Sequence, residues 1–410
     1  MTVAALGTGA VMAPAAHAEW GVRLVHEGQS IQAAVDAAAD GDTVLVMPGT
    51  YRESVQITRN VTLKGAGAGL VTLTAPAGQG AQPAPAAPAA PSGPAGATHA
   101  TQPVPAATPE GTAPTAAKTD SATESSTRSA TENSTEDSTT TTGTTTAAAC
   151  AAAGHGICVT GADGHALTAV RIESLAVTGF RANGIDASGT DGMVVRRVLV
   201  KDNGQQGISQ EKSTRAVLRD NEAVGNGQSG IFVANFVNAE GGALDTRGTV
   251  VSGNTLSGNR IGVTVRRARV LAVEDNTVTG NCGGVFVIGD ENNPKAGDLD
   301  IRHNKITDNN KFCAANGRLP VIQGTGVLLT GAEDTRITDN TVTGNSGTSP
   351  MSGGVVLFPS EVGVANLRDQ VSGNVLSGNS PADLADRDSK GSGNTFSANS
   401  CAVSEPAGRC

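Results

Sequence analysis

The chain has 410 residues, 53 of them glycine, and its aromatic content is 2%. A core filled by large aromatic side chains is thereby excluded, whereas a thin core of Val, Ile and Leu in a repeated slice remains open. The net charge of −9 argues against a nucleic-acid partner, and no apolar run of about 20 residues follows the N-terminus, so no membrane span is expected.

Residues 1–18 are small and apolar and end in Ala16-His17-Ala18, a small-x-small cleavage signature. They read as a signal peptide that lacks its charged n-region, with the true start expected upstream and the protein expected to be secreted. Residues 19–74 read as a cap helix and a first coil. Ser30 is placed to cap a helix whose apolar face is Ile31, Ala34, Val35 and Ala38. A strand is expected over Thr43–Met47, a turn over Pro48–Tyr51, and further strands at 55–57 and 61–63. Residues 75–149 are Ala-, Pro-, Thr- and Ser-rich with almost no large apolar side chain. They read as a disordered insertion, because they have too little apolar surface to bury against the entropy of ordering.

From 154 onward the chain repeats. Asparagines five residues apart occur at 221/226, 254/259, 276/281, 304/309, 340/345, 374/379 and 394/399. Each pair brackets an apolar residue: Val224 in the first, then Leu256, Val278, Ile306, Val342, Leu376 and Phe396. Most units continue with a turn glycine and an alternating strand, as in Gly184-Ile185-Asp186-Ala187 and Gly262-Val263-Thr264-Val265. Units of about 22 residues with three short strands predict a solenoid of nine or ten coils. Asparagine at the bend tolerates a left-handed backbone, and stacked amides can hydrogen-bond from coil to coil. The six cysteines fall as close neighbours, which predicts the disulfides Cys150–Cys158, Cys282–Cys313 and Cys401–Cys410.

These features resemble the right-handed parallel β-helix repeat family, the pectin-lyase-like fold. The block from Ser30 through Gly41-Asp42-Thr43-Val44 to Pro48-Gly49-Thr50-Tyr51 is similar to the cap helix and first coil of such proteins, and the Asn repeat with its Gly-Ile strands to their coils. The expected fold is all-β: a single-domain right-handed parallel β-helix with an N-terminal cap helix, a long disordered insertion, and repeats over 150–410. The resemblance implies a site on the outer face of the strand after the turn glycine. There the outward residues are Cys158, Asp186, Ser209, Phe232, Thr264, Phe286, Leu328 and Val356, flanked by Ser188, Ala234, Arg266, Ile288 and Phe358.

That column holds one Asp and then turns apolar, so the long loops between coils, or the insertion, are expected to cover it. The candidate catalytic residues are Asp186, Glu211, Lys212 and Arg266. Asp186 with Glu211 is a candidate Ca²⁺ pair, and Arg266 a candidate bidentate partner for a sugar carboxylate. The acidic stretch Asp290, Glu291, Asp298 and Asp300 has no Ca²⁺-loop spacing. Gly154-His155-Gly156 resembles the Gly-His-Gly of polygalacturonases, but their Asn-x-Asp and Asp-Asp carboxylates are missing, and His155 reads as a turn residue. Gly225-Asn226-Gly227-Gln228-Ser229-Gly230 fits a dinucleotide fingerprint, yet a strand rather than a helix follows it. The fold resemblance implies a secreted lyase or epimerase acting on an acidic polysaccharide or cell-surface glycan. The alternative is a non-catalytic extracellular binding or structural protein using the solenoid surface, and a monomer is expected in either case.

Overall fold

The structure, a computed structural model, describes residues 21–81, 146–162, 164–235, 242–316 and 320–410. The chain divides into two units, Met1–Pro85 with Thr144–Cys410, and Ala86–Gly143. The second unit lies outside the described residues, as do the expected signal peptide and most of the expected insertion. The described ends of that insertion are the stretch 75–81, where Gly80 bridges to Phe180, and the helix Thr146–Ala153.

The first unit is a right-handed parallel β-helix. One coil consists of the strands Val194–Arg196, Leu199–Lys201 and Ile208–Glu211, each of which belongs to a different sheet. The next coil stacks on it in register, so that Ile185, Ile208 and Ile231 are neighbours across three coils. Among the described residues the three sheets contain 12, 10 and 11 strands. This exceeds the nine or ten coils expected, because the N-terminal segment contributes more than one. Gly49–Arg52, expected as a turn, is a strand that pairs with Val71–Thr74.

The helix Ile31–Ala37 closes the first coil. The Ser30 hydroxyl accepts from the Ala33 N–H at 3.2 Å, and Ile31 and Val35 are buried. Inside the solenoid, like residues stack on like: Ile157, Ile185, Ile208, Ile231, Val263, Val285, Val327 and Val355 are all fully buried. Each such burial contributes roughly 1.5–3 kcal/mol. In the first Asn pair the inward residue is Ala223, paired with Leu256, and not Val224.

Two asparagine ladders run along the coils. Asn221, Asn254, Asn276, Asn304, Asn340, Asn374 and Asn399 form one. In each step the backbone N–H and the side-chain amide both donate to the Oδ1 of the next Asn, at 2.9–3.1 Å. The second ladder runs from Asn203 through Asn226, Asn259, Asn281, Asn309 and Asn345 to Asn379. It ends on Asp383, whose Oδ1 accepts both donors of Asn379 while Oδ2 accepts from the Ala402 and Val403 N–H groups. An acceptor-only side chain suits that last rung. The left-handed residue is not the asparagine itself but the one before it: Asp220, Asp275 and Asp339 have φ of 55–56°, and glycine serves at 253 and 373. Turning one residue earlier leaves the Asn amide aimed along the coil axis.

The three disulfides join Cys150 to Cys158, Cys282 to Cys313, and Cys401 to Cys410. The second belongs to an apolar cluster outside the solenoid core. There Ile322 and Met351, from the segments that follow Asn309 and Asn345, pack on Phe286, Leu328 and Val356 of the third sheet. The Cys313 and Ile322 backbones bond to each other at 3.0 and 3.1 Å. Loops between coils therefore cover the apolar half of the outward column, as its composition suggests.

Candidate functional site

The third sheet carries the candidate site on its outer face. Register places Cys158, Asp186, Ser209, Phe232 and Thr264 in one column and Thr160, Ser188, Glu211, Ala234, Arg266 and Ile288 in the next. Asp186 and Glu211 thus come from adjacent coils and adjacent columns. Glu211 is half-buried at the end of its strand. Burial pushes its carboxyl above the ordinary range, the Asp186 charge pushes it further, and the Arg266 guanidinium opposes both. Asp186, Glu211 and Arg266 therefore form one electrostatic group. Lys212 follows Glu211 in the left-handed conformation, φ 48°, and lines a separate cleft of about 600 Å³ with Thr160, His165 and Ser188.

His155 joins the group, although the sequence reads it as a turn residue. Its Nε2 lies 4.0 Å from Asp186 Oδ2. Its Nδ1 accepts the Asn183 N–H at 3.2 Å, which assigns the ring proton of the neutral form to Nε2, facing Asp186. The Asn183 amide holds the other carboxylate oxygen, Oδ1, at 2.7 Å, and Asn183 Oδ1 accepts from the Gln206 N–H at 2.9 Å. Gln206 Oε1 in turn accepts from the Ser229 N–H at 2.7 Å. The signal for these residues lies in the position before each turn glycine: His155, Asn183, Gln206 and Ser229 are polar there, and Ile261 and Gly283 are not.

Beyond Phe232 the face continues as a cleft lined by Gln206, Gln228, Phe232 and Thr264, with Arg266 and Ile288 at its far side. Neighbouring charges, the acidic stretch 290–300 among them, are answered elsewhere. Arg215 pairs with Asp191 at 2.6 Å, and Arg267 with Asp290 at 2.7 Å. Asp300 pairs with Arg336 at 2.6 Å, and Asp298 lies 4.0 Å from Arg269. Gly225–Gly230 is a coil corner that leads into the strand Ser229–Ala234, which a dinucleotide site does not tolerate. Among the described residues no three His, Cys, Asp or Glu side chains stand together as metal ligands, so Ca²⁺ at Asp186 and Glu211 would rest on two carboxylates. Among the described residues no helix is long and apolar enough to cross a membrane.

Comparison with known proteins agrees with this architecture. The right handed beta helix region family matches residues 132–306. The chain is a right-handed parallel β-helix repeat protein. A second family, the periplasmic copper-binding protein (NosD), matches residues 237–400. In that stretch the β-helix has a single histidine, His303, and both cysteines are disulfide-bonded, so its residues do not fit a copper site. The A-module of the Azotobacter vinelandii mannuronan C-5 epimerase AlgE4 superposes with a TM-score of 0.52 at 16% identity, covering 92% of this chain and 91% of that chain. The AlgE6 A-module of the same organism gives 0.47 at 16% identity over 90% and 88%. An alginate lyase from Paenibacillus sp. str. FPU-7 gives 0.37 at 12% identity over 86% and 94%. At 16% identity the likeness to the AlgE4 module concerns the fold alone. No curated protein sequence matches the chain.

Proposed function

We propose that the outer face of the third sheet binds an acidic polysaccharide and processes it by proton transfer at the uronate C5, as a lyase or an epimerase does, in an extracytoplasmic compartment. The observation that carries this reading is Glu211, a half-buried acid with a raised pKa between a negative Asp186 and a positive Arg266. Removing the C5 proton builds charge on the uronate carboxylate, and a guanidinium can hold that carboxylate bidentately as the charge grows. Arg266 takes this role, with Lys212 as the second cation along the face. Asp186, fixed by Asn183 and His155, accepts the proton. Glu211 retains its own proton to higher pH than an ordinary glutamate, which suits it to donate to the departing O4 in a lyase, or to C5 from the opposite face in an epimerase. The alginate-directed neighbours of the same fold and the three disulfides, which suit an oxidising compartment, support the reading.

A two-part assay tests it. Affinity electrophoresis against pectate, alginate and hyaluronan should retard the protein, and neutral dextran should not. Unsaturated uronate should then be sought by absorbance at about 235 nm. Retardation that Arg266→Ala weakens at least tenfold supports the site. Retardation without unsaturated product or C5 proton exchange would leave the non-catalytic binding reading. Migration unchanged by any polyuronate would overturn the proposal.

A further inference from the structure

Past Arg266 the face opens into a second cleft, of about 240 Å³, that shares Arg266 and Ile288 with the polar one. Its floor is sheet: Ile288 and Thr330 are register neighbours, and the Phe358 N–H donates to the Leu329 carbonyl at 2.8 Å. Its outer wall is the turn 359–362, held by the Val362 N–H on Ser360 Oγ at 3.3 Å and the Gly363 N–H on the Ser360 carbonyl at 2.9 Å. Ile288, Phe358, Pro359 and Val362 make most of the lining apolar, while Glu361 and the Arg267–Asp290 ion pair stand at it.

An unsubstituted polyuronate does not fit such a lining. It presents hydroxyls and carboxylates, and a hydroxyl buried against Ile288 and Phe358 has no partner. A second carboxylate would meet Glu361, a like-charge contact that costs affinity, and Arg267 is already paired with Asp290. A methyl-esterified uronate would be neutral, but it would no longer offer Arg266 an anion. A substituent that is neutral and partly apolar, yet leaves the carboxylate free, satisfies both ends of the cleft. We infer that this cleft is the subsite for an O-acyl group, such as an acetyl ester, on the uronate unit whose carboxylate meets Arg266. The inference rests on the polyuronate reading above and makes its substrate class more specific. The cleft continues the candidate site through a shared arginine, and its apolar lining beside Glu361 selects the neutral substituent.

The test compares one polymer in two states. O-acetylated mannuronan oligomers, and the same oligomers after mild alkaline de-esterification, are titrated into the full chain by isothermal calorimetry. The acetylated form should bind about tenfold more tightly, the gain of burying one small apolar group. Phe358→Ala and Val362→Ser should each bring the ratio towards one. Val362 is 54% exposed, so its variant folds even if loss of Phe358 disturbs the cluster beneath. Equal affinity for both oligomers, or a ratio that neither variant changes, overturns the subsite and leaves the polyuronate reading standing. Binding of neither oligomer overturns both.

Discussion

At the scale of single residues, three buried or half-buried polar groups make the account testable. Glu211 owes part of its raised pKa to the Asp186 charge. Asp186→Asn removes that charge, so the Glu211 carboxyl, followed directly by NMR, should titrate at lower pH than in the wild type. A titration that stays in place would separate Glu211 from Asp186 and remove the coupled pair from the account. Asp369 is fully buried, and burial pushes its carboxyl up to about 8. Its folded pKa exceeds its unfolded one, so the folded state holds the extra proton. Stability should therefore fall as pH rises from about 4 to about 8, then level off. The Asp369 N–H already donates to Asn394 Oδ1 at 3.0 Å, as a ladder asparagine would. Asp369→Asn should flatten that slope and raise stability at pH 9 by an amount on the order of a few kcal/mol, readable from denaturant midpoints at pH 5 and 9. Gln210 points into the core between Ala187 and Val233, and its Oε1 has no hydrogen-bond partner. Its Nε2 donates to the Ser213 carbonyl at 3.3 Å and to Thr249 Oγ1 at 3.5 Å, long bonds whose loss offsets part of the gain, so Gln210→Leu should stabilise the protein by about 1 kcal/mol. A lowered melting temperature would contradict this.

At the scale of elements, the asparagine ladders and the stacked aliphatic columns define the coil. Asn281 gives its N–H and amide to Asn309 and accepts both donors of Asn259. Asn281→Ala would leave the Asn259 donors buried without an acceptor, at roughly 1–3 kcal/mol per group, so a loss of about 2–5 kcal/mol is expected in urea titration. The ladder was legible in the sequence because one residue type recurs five residues apart around an inward apolar residue. Its geometry was only partly legible. Left-handed backbone falls on Asp220, Asp275 and Asp339, because a turn fixes φ where the chain direction changes rather than where the conspicuous side chain stands. The strands Gly49–Arg52 and Val71–Thr74 were obscured for a similar reason. Pro48-Gly49 is turn chemistry on its own, and only pairing with a neighbouring coil makes the next residues a strand.

At the scale of the whole molecule, the candidate site divides into a polar half and a covered apolar half. The outward column was legible because period-two alternation after each turn glycine fixes which side chains face out. It distinguishes Asp186 and Glu211 from the apolar run of Phe286, Leu328 and Val356. Which loop lies over that run was not legible, because the packing of Ile322 and Met351 on it depends on contacts between coils. His155 reads as a turn residue in the sequence because its partners, Asn183 and Asp186, lie one coil away. The net charge of −9 makes the protein as a whole repel a polyanion, so the attraction must be local, at Arg266 and Lys212. Raising salt from about 20 to 200 mM shortens the screening length and should therefore speed association, although the bound complex weakens. Association slowed by salt would point to a broader cationic surface.

The central claim is that the face around Glu211 moves a proton at the uronate C5. Deuterium wash-in tests it most directly. Mannuronan and pectate are incubated in D₂O with the wild-type chain or with Glu211→Gln, and the C5 proton is followed by NMR. The account predicts loss of the H5 signal, with or without unsaturated ends, at a rate that Glu211→Gln lowers by about 10²-fold or more. An H5 signal that persists with every polyuronate bound by the protein would contradict it.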